Sequence, residues 1–143
     1  DELWIYYVGS NSDHNDKVDP ATAGGKQLSG IGRAVLRLDG FGSADVGYQG
    51  GQLTTPPIRF AGRRLELNAA TSAGGMIEVE LLDEESRPIE GYAKKDARII
   101  NGNSIRIPVR WKATDDVSQL AGNPVRLRFH LRDCKLYAFQ FVE

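Results

Sequence analysis

The chain has 143 residues, eighteen basic against nineteen acidic side chains, a net charge of −1, two histidines and one cysteine. That length suits a single domain, and the near-neutral balance argues against nucleic acid, which needs a basic excess on one face. No apolar run approaches the roughly 20 residues of a membrane span, and the single cysteine, Cys134, can close no internal disulfide, which leaves the redox compartment open.

Asp1-Glu2 leads straight into Leu3-Trp4-Ile5-Tyr6-Tyr7-Val8, with no targeting segment ahead of it, and this start points to a piece of a longer chain. The run is apolar on both strand faces, too much so for a lone edge strand, with Trp4 and Tyr6 sharing one face. Gly9–Gly30 follows, polar and glycine-rich and longer than a compact domain normally tolerates without a reason; it reads as a functional loop or a linker. Within it Asp13, Asp16 and Asp19, with Asn11 and Asn15, could supply oxygens to Ca2+, although the spacing is not that of an EF-hand. A solvated loop is the simpler reading.

Period-2 alternation then takes over. Leu65 and Leu67 oppose Arg64, Glu66 and Asn68, and Ile77, Val79 and Leu81 oppose Glu78 and Glu80. Ile105, Ile107, Val109 and Trp111 oppose Arg106, Pro108 and Arg110, while Val125, Leu127, Phe129 and Leu131 oppose Arg126, Arg128, His130 and Arg132. One apolar and one charged face is what a sheet covered on one side requires. Asp39-Gly40, Gly50-Gly51, Ala61-Gly62, Gly74-Gly75 and Asn101-Gly102-Asn103 supply turns, Pro56-Pro57 a connection, and Asp133-Cys134 a hairpin into Lys135–Val142. Helix is nearly absent, with Asp115–Ala121 the best stretch for a single capped turn. The pattern predicts an all-β, two-sheet antiparallel β-sandwich of jelly-roll or lectin-like type, built from about eight to ten short strands.

Asp1–Gly9 resembles the closing strand of the five-bladed β-propellers in glycoside hydrolases of families 32 and 43 and their relatives, where a loop carrying a histidine, here His14, follows. Gly32–Ala34, Leu36–Phe41, Leu53–Thr55, Leu65–Asn68, Thr71–Gly75, Ala121–Phe129 and Lys135–Phe139 resemble the sandwich that follows such a propeller in many bacterial proteins. The likeness covers essentially the whole chain. It implies a division into 1–30, the propeller-like strand and polar loop, and 31–143, the β-sandwich. It also implies an upstream propeller in the same parent chain as partner, catalytic carboxylates lying there rather than here, and an extracellular or periplasmic location.

Glycoside hydrolysis needs two carboxyl groups about 5–9.5 Å apart, a spacing Glu78 and Glu80 meet on one strand. Their face reads as solvated, with Arg106, Arg110, Arg126 and Arg128 as cross-strand partners, so ion pairing is expected and no catalytic residue is assigned. His130, alternating with arginines, is expected at the surface. Trp111 is expected in the core. A carbohydrate-binding role is the alternative to an accessory one, with Trp4, Tyr48 and Tyr92 as an exposed stacking platform and His14 at a pocket rim. A self-sufficient glycosidase is the third reading.

Overall fold

The structure, a computed structural model, describes residues 1–11 and 29–143. It is all-β, with two antiparallel sheets; among the described residues the only helical pieces are single 3-10 turns at Lys94–Asp96 and Ser118–Leu120. The chain forms two units, Asp1–Leu38 and Asp39–Glu143.

The first unit is a hairpin of β1 (Glu2–Ser10) and β2 (Ser29–Arg37), in unbroken register from Glu2↔Arg37 to Ser10↔Ser29. Cross-strand partners share a face, so Trp4, Tyr6 and Val8 line up with Val35, Arg33 and Ile31, and Ile5 and Tyr7 with Ala34 and Gly32. The Arg33 guanidinium lies 4.4 Å over the Trp4 ring, whose indole N–H donates to Glu2 at 2.9 Å. On the other face the Tyr7 ring lies over Gly32, where any Cβ would meet it at 2.4 Å.

The second unit is a five-stranded sheet built on two long strands, β5 (Arg64–Leu82, 19 residues) and β7 (Arg126–Val142, 17 residues). The inner strands β7 and β5 are flanked on one side by β3 (Ala44–Val46) and β4 (Gly51–Thr54), both on β7, and on the other by β6 (Asn103–Pro108), on β5. The alternating residues form the core as expected. Leu65, Leu67, Ile77, Val79, Leu81, Leu127, Phe129 and Leu131 are buried, together with Tyr92, Val109, Trp111 and Val117 from the connecting segments.

Two expectations change. The predicted hairpin at Asp133-Cys134 does not form, and Val125–Arg132 and Lys135–Val142 are halves of one strand. Asp133 does adopt a left-handed conformation (φ 44°), but a single such residue makes a bulge rather than a reversal, because both halves keep pairing with β5. Likewise Gly74-Gly75 ends no strand: Ser72–Gly75 of β5 stands opposite Asp133, where the ladder skips from Thr71↔Cys134 to Met76↔Arg132. The inward phase of β7 therefore steps from Leu131 to Cys134 and Leu136. Merging segments that the turn signals separate leaves seven strands among the described residues, two of them long.

The outer edge of the second half of β5 carries no full strand, yet its backbone groups are bonded. Ile77 exchanges two hydrogen bonds with Ile100, Leu81 receives one from Ile89 and donates one to Tyr92, and the Trp111 indole donates to the Val79 carbonyl at 2.9 Å. An edge sealed this way offers no template for another strand.

Candidate functional site

Within the second unit, Tyr48 and Tyr92 do not converge. Trp4 is half-exposed on the hairpin, with Arg33 stacked on it. Tyr48 is 71% exposed in the turn between β3 and β4, with the Arg132 guanidinium 5.6 Å from its ring centre. Tyr92, expected on the same exposed platform, is only 1% exposed. Its ring meets Trp111 edge-on at 5.0 Å, and its hydroxyl donates to the Asp116 carbonyl and accepts from Gln119, each at 2.7 Å. No sugar can stack on it, because inward phase wins over the neighbouring glycine that suggested a loop. His14, Asp13, Asp16 and Asp19 lie outside the described residues. Among the described residues no group of three or more His, Cys, Asp or Glu could hold a metal, and no helix is long and apolar enough to cross a membrane.

The bulge opens a cleft of about 420 Å³ lined by Asp45, Val46, Gly47, Ala70, Thr71, Ser72, Asp133, Cys134 and Lys135. Its walls are held by side chain to main chain bonds: Asn101 donates to the Ser72 and Gly75 carbonyls at 3.0 and 2.7 Å, and Thr71 accepts from the Gly102 N–H at 3.0 Å. The Ser72 hydroxyl donates to Asp133, and Lys135 and the Ser43 hydroxyl donate to Asp45. The Lys135 ammonium and then the Ser43 hydroxyl hold the Asp45 carboxyl below the usual range, while burial pushes the Cys134 thiol up and keeps it protonated. The cleft therefore offers fixed charges and hydroxyls to a polar ligand.

Sequence reading missed a buried polar cluster. Glu78 and Glu80 were expected on a solvated face and His130 at the surface, but Glu80 and His130 are 5% and 8% exposed. They do point away from the core. However, the 3-10 turn at Lys94–Asp96 and the Arg128 side chain lie against them. Glu80 accepts from His130 Nε2 at 2.9 Å, from Arg128 at 3.3 Å and from the Lys94 backbone N–H at 3.3 Å. Glu78 pairs with Lys94 Nζ at 3.9 Å. The expected cross-strand ion pairing is thus present through Arg128, but around a desolvated carboxylate. Facing residues Glu80↔Arg128 and Glu78↔His130 carried the signal, which needed the strand order to be read.

With every Glu80 oxygen engaged and Glu78 tied to Lys94, the pair makes a structural network rather than an acid and a nucleophile around an open sugar site. No protein-family profile matches this chain, and no match is found among curated proteins or solved structures.

Proposed function

We propose that the chain is a non-catalytic accessory β-module of a glycoside-hydrolase-like protein, its hairpin packing against the propeller of the same parent chain. The observation that carries this reading is the hairpin. Two strands alone are marginal in water, none of the described residues of Asp1–Leu38 is buried, and large apolar side chains stand exposed on both faces, Trp4, Tyr6, Val8, Ile31 and Val35 on one, Ile5 and Tyr7 on the other. Such a ribbon gains most when strands or a sheet cover it. The resemblance of Asp1–Gly9 to a closing propeller strand supports the choice of partner.

The residues encoded immediately before Asp1 test it. Repeated strand quartets with inward Asp and Glu are the expected finding, and an unrelated domain there would overturn the reading. The chain itself is expected to turn over no aryl glycoside; turnover abolished by Glu80→Gln would transfer catalysis to this module.

A second reading is favoured by one observation, the exposed Tyr48 that directly follows Gly47 of the polar cleft in sequence. A saccharide could stack on the ring while Asp45, Ser72, Asp133 and Lys135 bond its hydroxyls. Calorimetric titration with plant and host polysaccharides, repeated on Tyr48→Ala, decides it: heat lost in the variant supports binding there, and no heat above background removes the reading.

A further inference from the structure

A different part of the second unit gathers positive charge without neutralising it. Ala97 and Trp111 form an antiparallel bridge, closed by hydrogen bonds from the Arg98 N–H to the Arg110 carbonyl (2.9 Å) and from the Lys112 N–H to the Asp96 carbonyl (2.8 Å). The register sets Arg98 opposite Arg110 and Asp96 opposite Lys112. Trp111 points inward, 2% exposed, and Arg98, Arg110 and Lys112 are exposed on the other side of the ribbon. They line a groove of about 410 Å³ with Ala113, Thr114 and Asp115.

Like charges directly opposite on paired strands destabilise a ribbon, so a carboxylate between them is the expected remedy. None is supplied. Among the described residues, the ion pairs join Arg63 to Asp116, Arg87 to Asp83 and Glu85, Lys94 to Glu78, Arg128 and His130 to Glu80, and Lys135 to Asp45. Arg98, Arg110 and Lys112 take part in none of them. Asp116, next to the groove in sequence, is held by Arg63 at 2.9 Å and by the Ser118 N–H at 2.8 Å. Asp115 and Asp96 make no ion pair with the three cations, and Asp115 is the only acid among the described residues that line the groove.

The ribbon is also fixed in shape, as a receiving site must be. The Trp111 N–H donates to the Thr114 carbonyl at 2.9 Å, Thr114 Oγ1 accepts from the Asp116 N–H at 2.9 Å, and the Trp111 indole is bonded in the core. Two arginines facing each other in register and a lysine two residues on, all lining one groove, can together bring paired N–H donors and an ammonium to the oxygens of a single oxyanion. A patch of three cations on a chain of net charge −1 is too small for the continuous phosphate track of a nucleic acid.

We propose that Arg98, Arg110 and Lys112 form a binding site for one oxyanion group, a carboxylate or a sulfate or phosphate ester, borne by the ligand or partner of this module. The site is separate from the Tyr48 cleft and does not depend on it.

Titration of the full chain with sodium sulfate, sodium phosphate and sodium glucuronate, each at ionic strength matched with chloride, tests the assignment and tells the two anion chemistries apart. Backbone amide shifts are expected to move around Arg98–Lys112 in at least one series, and affinity in Arg98→Gln/Arg110→Gln is expected to fall about tenfold or more. Arg106→Gln, an exposed cation on β6, should leave it unchanged. An independent readout needs no ligand: in low-salt chloride, Arg110→Gln should melt no lower than the parent, because it removes a repulsion. Equal responses in chloride, equal affinity in the double variant, or a melting temperature lowered by Arg110→Gln would overturn the proposal, as would salt-sensitive binding of duplex DNA stronger than any single anion.

Discussion

The indole N–H of Trp111 donates to the backbone carbonyl of Val79 at 2.9 Å, so a side chain stands where a neighbouring strand would otherwise bond β5. Trp111 also holds the Tyr92 ring edge-on, and its backbone carries the ribbon that displays Arg98 and Arg110. Trp111→Ala removes a fully packed indole and is expected to cost about 3–5 kcal/mol. Trp111→Phe keeps much of the volume but orphans the Val79 carbonyl, at about 1–3 kcal/mol. Urea unfolding of both variants checks the order; a Phe variant as stable as the parent would show that the indole bond seals nothing.

Gly75 is required by geometry rather than by a turn. A Cβ there would lie 2.2 Å from the Asp133 carbonyl oxygen and 3.0 Å from the Ser72 nitrogen, all backbone atoms that cannot swing aside, whereas at Gly74 a Cβ meets nothing. Gly75→Ala is expected to destabilise by about 1–3 kcal/mol or to shift the β5–β7 register, and Gly74→Ala by much less. Comparable melting temperatures for the two would mean that the bulge relaxes freely.

What the sequence made legible follows from the same geometry. Alternation marked Leu65, Leu67, Ile77, Val79, Leu81, Leu127, Phe129 and Leu131 as inward correctly, and the inward phase through Val109 placed Trp111 in the core, because burial of alternate side chains is a local property of an unbroken stretch of strand. It could not show that Asp133 and Ser72–Gly75 face each other as a bulge, since a left-handed residue and a glycine pair look the same in sequence whether the chain turns or continues. The same limit hid the Glu80–His130 cluster. Outward alternation means solvent only where nothing folds over that face, and the contact of the Lys94 turn with Glu78 and Glu80 lies outside the strand. Tyr92 fails for the converse reason, as a loop-like neighbourhood says nothing about which way a ring points.

Glu80 and His130 act together, so their variants should not add. Glu80→Gln leaves His130 and Arg128 without their carboxylate, and His130→Ala leaves Glu80 with Arg128 and the Lys94 N–H. Each single change is expected to cost about 1–3 kcal/mol, and the double variant less than the sum by about 0.5–3 kcal/mol, the coupling of a direct contact. A double-mutant cycle in denaturant measures it. Strict additivity would mean that the two side chains are neighbours without being partners.

Asp116 gives the acid limb of the stability profile. The Ser118 hydroxyl and backbone N–H, and then Arg63, hold its carboxyl well below the usual range. As pH falls, the unfolded chain therefore takes up this proton before the folded one does. The stabilisation from Asp116 is complete at neutral pH, begins to be lost near the ordinary aspartate value of about 4, and is gone once the folded group has also protonated. Asp116→Asn cannot make this transition. Its melting temperature should lie below that of the parent at pH 7, and the gap should narrow steadily between about pH 4 and pH 2. Both partners are exposed to solvent, so the gap at pH 7 should also shrink when salt is raised. Parallel melting curves for parent and variant across that range would show that the carboxylate does not contribute through its charge.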